Sequence, residues 1–164
     1  MRKPELIPAK IFLLPALLEQ IKAWKSENKS IAFTNGCFDI LHIGHIASLS
    51  EAAAEADILI VGLNSDASTR RLKGPERPVN NEQSRALLMA SLQLADAVVL
   101  FEEDTPFNLI KAILPDVLVK GGDYTVETIV GAKEVIANGG RVVINPTVQG
   151  YSTTGIIEKI QKLG

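Results

Sequence analysis

Short apolar runs alternate with helix-forming segments along most of this chain, and this alternation restricts the fold more than any other feature. The apolar runs cover residues 31–34, 58–63, 97–101, 117–119 and 141–144. A short run that is apolar throughout is typical of a strand buried on both faces of a parallel sheet. Because parallel strands need right-handed crossover connections, the alternation predicts an α/β fold with a doubly wound, five-stranded parallel sheet in the order 3-2-1-4-5.

Helix boundaries are predicted from capping residues and helix breakers. The predicted helices cover residues 15–26, 44–55, 81–92, 106–114, 128–138 and 153–162. Asn80 with Gln83 forms the pattern of a capping box before the third helix. Thr105 can cap the fourth helix with Pro106 at its first position, and Ser152 can cap the last one.

Composition and charge restrict the class of protein. A chain of 164 residues that is 46% hydrophobic suits one domain, with an N-terminal helical segment (1–29) and a catalytic α/β core (30–164). The net charge of −2 gives no expectation of a nucleic-acid partner. Apolar runs shorter than the roughly 20 residues of a membrane helix, and no signal-peptide core, lead us to expect no membrane partner and a cytoplasmic location. A single cysteine, Cys37, excludes an intramolecular disulfide.

Both histidines of the chain, His42 and His45, lie in the loop after the first predicted strand. Open parallel sheets bind ligands at the carboxyl ends of their strands, where the strand order reverses. Two imidazoles at the start of a helix can stand beside its free backbone N–H groups and form a phosphate-binding cradle. Gly36 and Gly44 would permit a tight exit from the strand and close approach of a phosphate. The alternative is a zinc site, which would have to draw on carboxylates.

The loop and several other segments resemble a known family. The pattern Gly-x-Phe-Asp-x-x-His-x-Gly-His is formed by Gly36, Phe38, Asp39, His42, Gly44 and His45. It is similar to the first motif of the cytidylyltransferase-like nucleotidyltransferases. Residues 64–66, 70–75, 77–78, 119–124 and 150–154 are together similar to the adenylyltransferase domain of ADP-heptose synthases. The resemblance runs from about residue 10 to the C-terminus, includes no kinase segment, and implies a stand-alone enzyme with a Rossmann-like nucleotidyltransferase fold.

The resemblance implies transfer of the adenylyl group of ATP to D-glycero-D-manno-heptose 1-phosphate, which gives ADP-heptose and pyrophosphate. The sugar phosphate would attack the α-phosphorus in line, so the reaction needs positive charge and positioning rather than a covalent nucleophile. Mg²⁺ is expected to come with ATP and to be held by phosphate oxygens, without a dedicated protein site. The implied partners are ATP, a sugar 1-phosphate, a second copy of the chain in a homodimer or larger assembly, and a separate heptose kinase and phosphatase.

The resemblance also implies roles for individual residues. Catalysis would fall to His42, His45 and Lys73, which would hold the triphosphate and neutralise charge at the α-phosphate, Lys73 from a mobile loop. The expected nucleotide- and phosphate-binding residues are Thr34, Asn35, Gly36, Phe38, Gly44, Arg85, Lys120, Gly121, Asp123, Tyr151, Ser152, Thr153 and Thr154. Arg85 could instead form a structural ion pair. Asp39, Asn64 and Asp66 are expected to orient the sugar phosphate or the metal, and Asp39 could orient the histidines instead.

Two alternative functions remain open at this stage. A cytidylyltransferase acting on glycerol 3-phosphate or another polyol or sugar phosphate would use the same two histidines. Glycerol-3-phosphate cytidylyltransferases carry an arginine shortly before the Ser-Thr-Thr run, where this chain has residues 147–149, Thr-Val-Gln, and this departure disfavours the cytidylyl alternative. A non-catalytic ATP-binding sensor could also use the cradle, although it would not need groups aimed at a developing charge.

Overall fold

The computed structural model describes residues 3–146 and 148–163. In this part of the chain, six parallel strands form one sheet in the order β1-β4-β3-β2-β5-β6. The strands are β1 Ile11–Phe12, β2 Ile31–Gly36, β3 Ile58–Asn64, β4 Ala97–Phe101, β5 Val117–Gly121 and β6 Arg141–Asn145. The α-helices are α1 Leu14–Ser26, α2 Ile43–Ala53, α3 Asp66–Lys73, α4 Glu82–Ser91, α5 Phe107–Ile113, α6 Ala132–Ala137 and α7 Thr153–Gln161.

Helices cover both faces of the sheet. Side chains of each strand alternate between two hydrophobic clusters, so that Phe33 of β2 joins one cluster and Ala32 joins the other. The first cluster contains residues of α1, α5 and α6, and the second contains residues of α2 and α4. All residues of β3 are buried, as expected for a central strand covered on both faces. The predicted α/β, Rossmann-like parallel sheet is therefore observed.

The predicted count of five strands was wrong. β1, which covers only Ile11–Phe12, adds a sixth strand at the edge of the sheet and pairs with Val98 and Val99 of β4. Two residues are too few to show an alternating pattern, so no strand was predicted there. The five longer strands stand in the order β4-β3-β2-β5-β6, which places β2 at the point where the strand order reverses.

Two predictions for the segment between β3 and α4 were wrong, namely the absence of a helix directly after β3 and the N-cap of α4. The polar segment after β3 forms α3, whose N-cap Ser65 accepts a hydrogen bond from the backbone N–H of Ser68. Lys73 is the last residue of α3 and so lies on a helix rather than in a loop. The N-cap of α4 is Asn81 rather than Asn80, because the Asn80 side chain donates to the backbone oxygen of Asp39 instead.

Two further helices begin later than predicted. α5 begins at Phe107 with no side-chain cap, so Thr105 is not its N-cap. The predicted helix over 128–138 is divided into a 3-10 turn, Val126–Thr128, and the shorter α6. Gly131 separates them at a φ of 83°, which a continuing right-handed helix does not allow. The predicted cap of the last helix is confirmed, since Ser152 accepts a hydrogen bond from the N–H of Gly155.

The helices of the described ranges are short, and α1 is the longest of them at 13 residues. In residues 3–146 and 148–163 there is consequently no helix with the length and hydrophobicity to cross a membrane.

Candidate active site

A cavity of about 650 Å³ opens at the carboxyl ends of the central strands. Its volume is in the range of small-molecule sites, which is roughly 300–1,000 Å³. Most of the predicted site residues line it: Asn35, Gly36, Phe38, Asp39, His42, Gly44, His45, Asn64, Lys73, Lys120, Gly121, Tyr151, Ser152, Thr153 and Thr154. The folded chain thus brings together segments that follow β2, β3, β5 and β6.

Four predicted site residues do not line this cavity, namely Thr34, Asp66, Arg85 and Asp123. Thr34 is buried inside β2, and Asp123 lies on the exposed turn after β5. Asp66 accepts a hydrogen bond from the Arg85 guanidinium at 2.8 Å, so its carboxylate serves a contact within the protein. The structure therefore does not place these four residues against a ligand in the cavity.

Arg85 is a buried structural residue. Its side chain is 0% exposed, and its guanidinium pairs with Asp66. The same guanidinium donates to the backbone oxygens of Asn80 at 2.9 Å, Cys37 at 2.6 Å and Asn64 at 2.8 Å. These contacts join the loop after β2 to the end of β3 and the start of α4. Of the two interpretations left open by the sequence, the structure shows the ion pair and not a phosphate ligand.

The two histidines form a stacked pair at the start of α2. Their ring centroids are 3.8 Å apart with an interplanar angle of 25°, and His42 is the N-cap residue of the helix. The ring of Phe38 packs edge-on against His45, with centroids 5.3 Å apart. Within the described residues, the buried Nδ1 atoms of His42 and His45 have no hydrogen-bond partner. Both histidines line the cavity, so the pair is placed to contact a polar ligand there.

The surroundings of both histidines favour the neutral form of the ring. Burial lowers the pKa of His42 below its usual value. Burial, together with the charge that His42 would carry, lowers the pKa of His45 to about 4. The pair therefore offers neutral rings, and not the permanent positive charge expected of a phosphate-binding cradle. A positively charged imidazolium would form only when a bound anion raises the pKa of a ring.

We expect ATP binding to be accompanied by proton uptake at this pair. A triphosphate beside the rings would raise the pKa of each histidine, so the complex holds more protons than the free protein and the affinity increases as the pH falls from about 8 to about 6. Calorimetry of ATP binding in buffers of different ionisation enthalpy measures the protons taken up. Because the terminal phosphate of ATP itself titrates in this range, with a second phosphate pKa of about 6, the control is the double variant His42→Gln/His45→Gln. Equal uptake by both proteins would contradict the prediction.

Asp39 clamps the segment between α3 and α4. Its buried carboxylate accepts hydrogen bonds from the Nε of Arg77 at 2.7 Å and from the backbone N–H groups of Val79 at 2.8 Å and Asn80 at 2.9 Å. Burial alone would raise the pKa of Asp39, but the hydrogen bonds from Asn80, Val79 and Arg77 outweigh it and lower the pKa. The expectation that Asp39 orients the histidines is wrong, because these donors occupy it.

Lys120 is a partly buried cation on the β5 side of the cavity. Its Nζ lies 3.3 Å from Oδ1 of Asn35 and 5.6 Å from the ring centroid of Tyr124. The pKa of Lys120 is lowered, mainly by burial and further by repulsion from Lys73, and the interaction with Cys37 offsets only part of this shift. Among the described ion pairs, neither lysine is matched with a carboxylate. The two lysines therefore provide uncompensated positive charge for an anionic ligand.

The N-terminus of α7 lies against the N-terminus of α2. Thr153 donates its hydroxyl to the backbone oxygen of Ile40 at 3.3 Å. A Cβ atom added to Gly44 would lie 3.0 Å from the His42 ring and 3.5 Å from the Cβ of Tyr151, so the small residue permits this approach. Helix N-termini favour anions, and two of them meet here. The sequence departure at 147–149 is only partly placed, since Thr147 lies outside the described residues.

The geometry of this site and one comparison with known proteins together identify the family of the chain. A family model described as cytidylyltransferase-like matches residues 33–159. The chain belongs to the cytidylyltransferase-like family. The resemblance given by the histidine loop is thereby confirmed.

Two curated relatives of this cytidylyltransferase-like chain carry the same name, bifunctional protein HldE. The protein from Mesorhizobium japonicum is 59% identical over 141 residues, which are 86% of this chain and 28% of that protein. The protein from Hyphomonas neptunium is 56% identical over 149 residues, or 90% of this chain and 31% of the relative. The chain thus spans less than a third of the length of these relatives.

Solved structures show the same fold. The lipopolysaccharide core biosynthesis protein from Thermoplasma volcanium aligns with a TM-score of 0.59 and 27% identity, over 76% of this chain and 99% of that one. Pantoate–β-alanine ligase from Francisella tularensis aligns with a TM-score of 0.54 and 16% identity, over 84% of this chain and 67% of that chain, a likeness of fold alone.

Several residues that line the cavity were not predicted to belong to the site. They are Cys37, Ser48, Leu72, Arg77, Asp104, Thr105, Pro106, Leu118, Tyr124, Thr128, Ile129, Val130, Pro146 and Val148. Asp104 and Thr105 follow β4, and carboxyl ends of parallel strands meet at one edge of a sheet, so their position was a usable signal. Ile129 and Val130 carry no such signal, because only the break between Val126–Thr128 and α6 turns them toward the cavity.

The described residues of this cytidylyltransferase-like chain include no group of three or more His, Cys, Asp or Glu side chains that could hold a metal ion. Two carboxylates line the cavity, and both have partners. Asp39 is held by Arg77, and Asp104 is paired with Arg71 at 2.6 Å. The donor set does not fit a metal held by the protein alone.

Proposed function

We propose that this domain transfers the adenylyl group of ATP to D-glycero-D-manno-heptose 1-phosphate, giving ADP-heptose and pyrophosphate. The observation that carries the proposal is the stacked pair of His42 and His45 at the meeting point of two helix N-termini. Membership of the cytidylyltransferase-like family supports nucleotidyl transfer. Relatives at 56–59% identity named bifunctional protein HldE, and the resemblance to ADP-heptose synthases, support adenylyl transfer to a heptose phosphate.

The proposed reaction is a direct displacement at the α-phosphorus. An oxygen of the sugar phosphate forms a bond to the α-phosphorus, the bond from that phosphorus to the bridging α–β oxygen breaks, and pyrophosphate leaves with the electron pair. His42 and His45 donate hydrogen bonds to the phosphate oxygens where charge accumulates. Lys73 and Lys120 add positive charge, and Ser152, Thr153 and Thr154 offer hydroxyl and N–H donors to the leaving pyrophosphate at the start of α7.

Magnesium is proposed to enter with ATP, on phosphate oxygens, where it would neutralise part of the triphosphate charge. The consumption of ATP supports the expected cytoplasmic location. A homodimer, and a heptose kinase and a phosphatase as pathway partners, remain predictions from the resemblance.

Pyrophosphate release from a substrate matrix tests the proposed function. ATP, CTP, GTP and UTP are each combined with heptose 1-phosphate, glycerol 3-phosphate or buffer in the presence of Mg²⁺. We expect release only with ATP and heptose 1-phosphate. Release with CTP and glycerol 3-phosphate would replace the substrates and retain the displacement. No release from protein that still binds ATP would favour a sensor.

A further inference from the structure

Arg77 presents unused hydrogen-bond donors to the cavity. Its Nε donates to Asp39 at 2.7 Å, and its side chain is 13% exposed whereas that of Asp39 is 0% exposed. Among the described hydrogen bonds, its terminal nitrogens have no protein acceptor, and the residue lines the cavity. A guanidinium fixed through Nε keeps its two terminal nitrogens for a bidentate contact with a phosphate.

The cavity has two sides, which the strand order defines. On the β5 and β6 side lies the N-terminus of α7, which reaches the start of α2 beside Ile40 and Gly44. On the β3 and β4 side lie Lys73 and Arg77, from α3 and the segment after it, and residues 104–106, which follow β4. The histidines lie after β2, between the two sides.

An in-line displacement requires the attacking oxygen and the leaving pyrophosphate to lie on opposite sides of the α-phosphorus. The N-terminus of α7 suits the pyrophosphate, because it supplies N–H and hydroxyl donors on the β6 side. The attacking sugar phosphate must then come from the β3 and β4 side. We infer that Arg77 binds the phosphate of the acceptor and that Asp39 is the positioning residue that aims its guanidinium; this inference rests on the proposed function.

Asp39 is suited to this positioning role by its burial and its partners. Its carboxylate accepts hydrogen bonds from the side chain of Arg77 and from the backbone N–H groups of Val79 and Asn80, so the guanidinium and this backbone segment are held by the same group. Asn80 reinforces the clamp by donating its side-chain amide to the backbone oxygen of Asp39 at 2.8 Å. The carboxylate cancels the formal charge of Arg77, so the site gains directed donors while Lys73 supplies the net charge.

The variants Arg77→Gln and Arg77→Lys test the inference in the full chain, with Arg70→Gln as the matched control on exposed α3 surface. Loss of a bidentate contact to a charged group predicts a KM for heptose 1-phosphate that is raised about ten- to a hundredfold in Arg77→Gln. Arg77→Lys keeps the positive charge but lacks the two terminal nitrogens of a guanidinium, so its KM for heptose 1-phosphate should lie between those of Arg77→Gln and the wild type. The Kd of ATP should change less than about twofold in both, and Arg70→Gln should match the wild type.

Asp39→Asn separates positioning from general stability. We expect it to raise the KM for the acceptor while the Kd of ATP stays within about threefold of the wild type. The inference would be overturned if Asp39→Asn weakened the binding of ATP as much as it raised the KM for the acceptor. An unchanged KM for the acceptor in folded Arg77→Gln would also overturn it.

Binding without turnover keeps failure of the inference distinct from failure of the proposed function. Heptose 1-phosphate and glycerol 3-phosphate are titrated separately into protein saturated with the α,β-methylene analogue of ATP. If the wild type does not convert heptose 1-phosphate, the proposed function fails, and a weaker Kd of glycerol 3-phosphate in Arg77→Gln still supports the acceptor site. If the wild type converts heptose 1-phosphate and Arg77→Gln binds both acceptors normally, the inference alone fails. Absence of binding of either acceptor to the wild-type complex would also overturn it.

Discussion

Replacing His42 or His45 with alanine is expected to lower kcat by about a hundred- to a thousandfold, the effect typical of removing one donor from a developing oxyanion. Each ring stands at the start of α2 with a buried, unpartnered nitrogen. Charge on the phosphate oxygens grows as the bond to pyrophosphate breaks, so the rings stabilise the transition state more than bound ATP. The measurement is steady-state pyrophosphate release together with the Kd of ATP at about pH 8, where proton uptake contributes least.

Ser50→Ala is the matched control, because Ser50 lies on the exposed surface of the same helix. It should retain wild-type kcat. The decisive comparison is the size of the loss in kcat against the change in Kd. If His42→Ala turned over at the wild-type rate, the catalytic role of that histidine would be lost. If turnover were absent from the wild type and the histidine variants lost ATP affinity instead, the pair would serve ATP sensing.

Replacing Arg85 with alanine is expected to destabilise the fold by about 3–5 kcal/mol, because a fully buried guanidinium that serves one half-buried carboxylate and three backbone oxygens is removed. The substitution leaves three backbone oxygens and the Asp66 carboxylate without their donor. For a domain of this size, a loss of about 3–5 kcal/mol corresponds to a decrease in Tm of about 6–20 °C. Urea unfolding, monitored by circular dichroism, measures the change in unfolding free energy.

Arg70→Ala serves as the control for arginine removal from an exposed helix surface, and it should change the unfolding free energy by less than about 0.5 kcal/mol. Arg85→Lys should lie between Arg85→Ala and the wild type, because an ammonium cannot reach all four acceptors in one plane. A stable Arg85→Ala protein that had lost only its affinity for ATP would restore the interpretation of Arg85 as a phosphate ligand.

The five longer strands and the edge of the sheet that holds the cavity were predictable from the sequence, for reasons that lie in local chemistry. Residues 58–63 and 97–101 are apolar throughout, and such runs are stable only where both faces are covered. The two histidines follow the strand at which the sheet order reverses, and chain connectivity alone puts them at the ligand-binding edge. The cap of α4 was misplaced by one residue because Asn80 and Asn81 are adjacent and Asn80 is used by Asp39, and the cap of α5 was misplaced because that helix begins at Phe107 without any side-chain cap.

The sequence by itself determined the α/β layout, the family and the histidine loop, because periodicity, caps and a spaced motif are local properties. Only the tertiary structure decided which charged groups face the ligand. Arg85 and Arg77 are both arginines near α4, yet four acceptors enclose Arg85, whereas Asp39 leaves part of Arg77 open to the cavity. Likewise, the pKa values of the histidines are lowered by burial of both rings and, for His45, by the charge that His42 would carry. Partners that lie 38 or 48 positions apart meet only after folding, and their distances set charge, pKa and exposure.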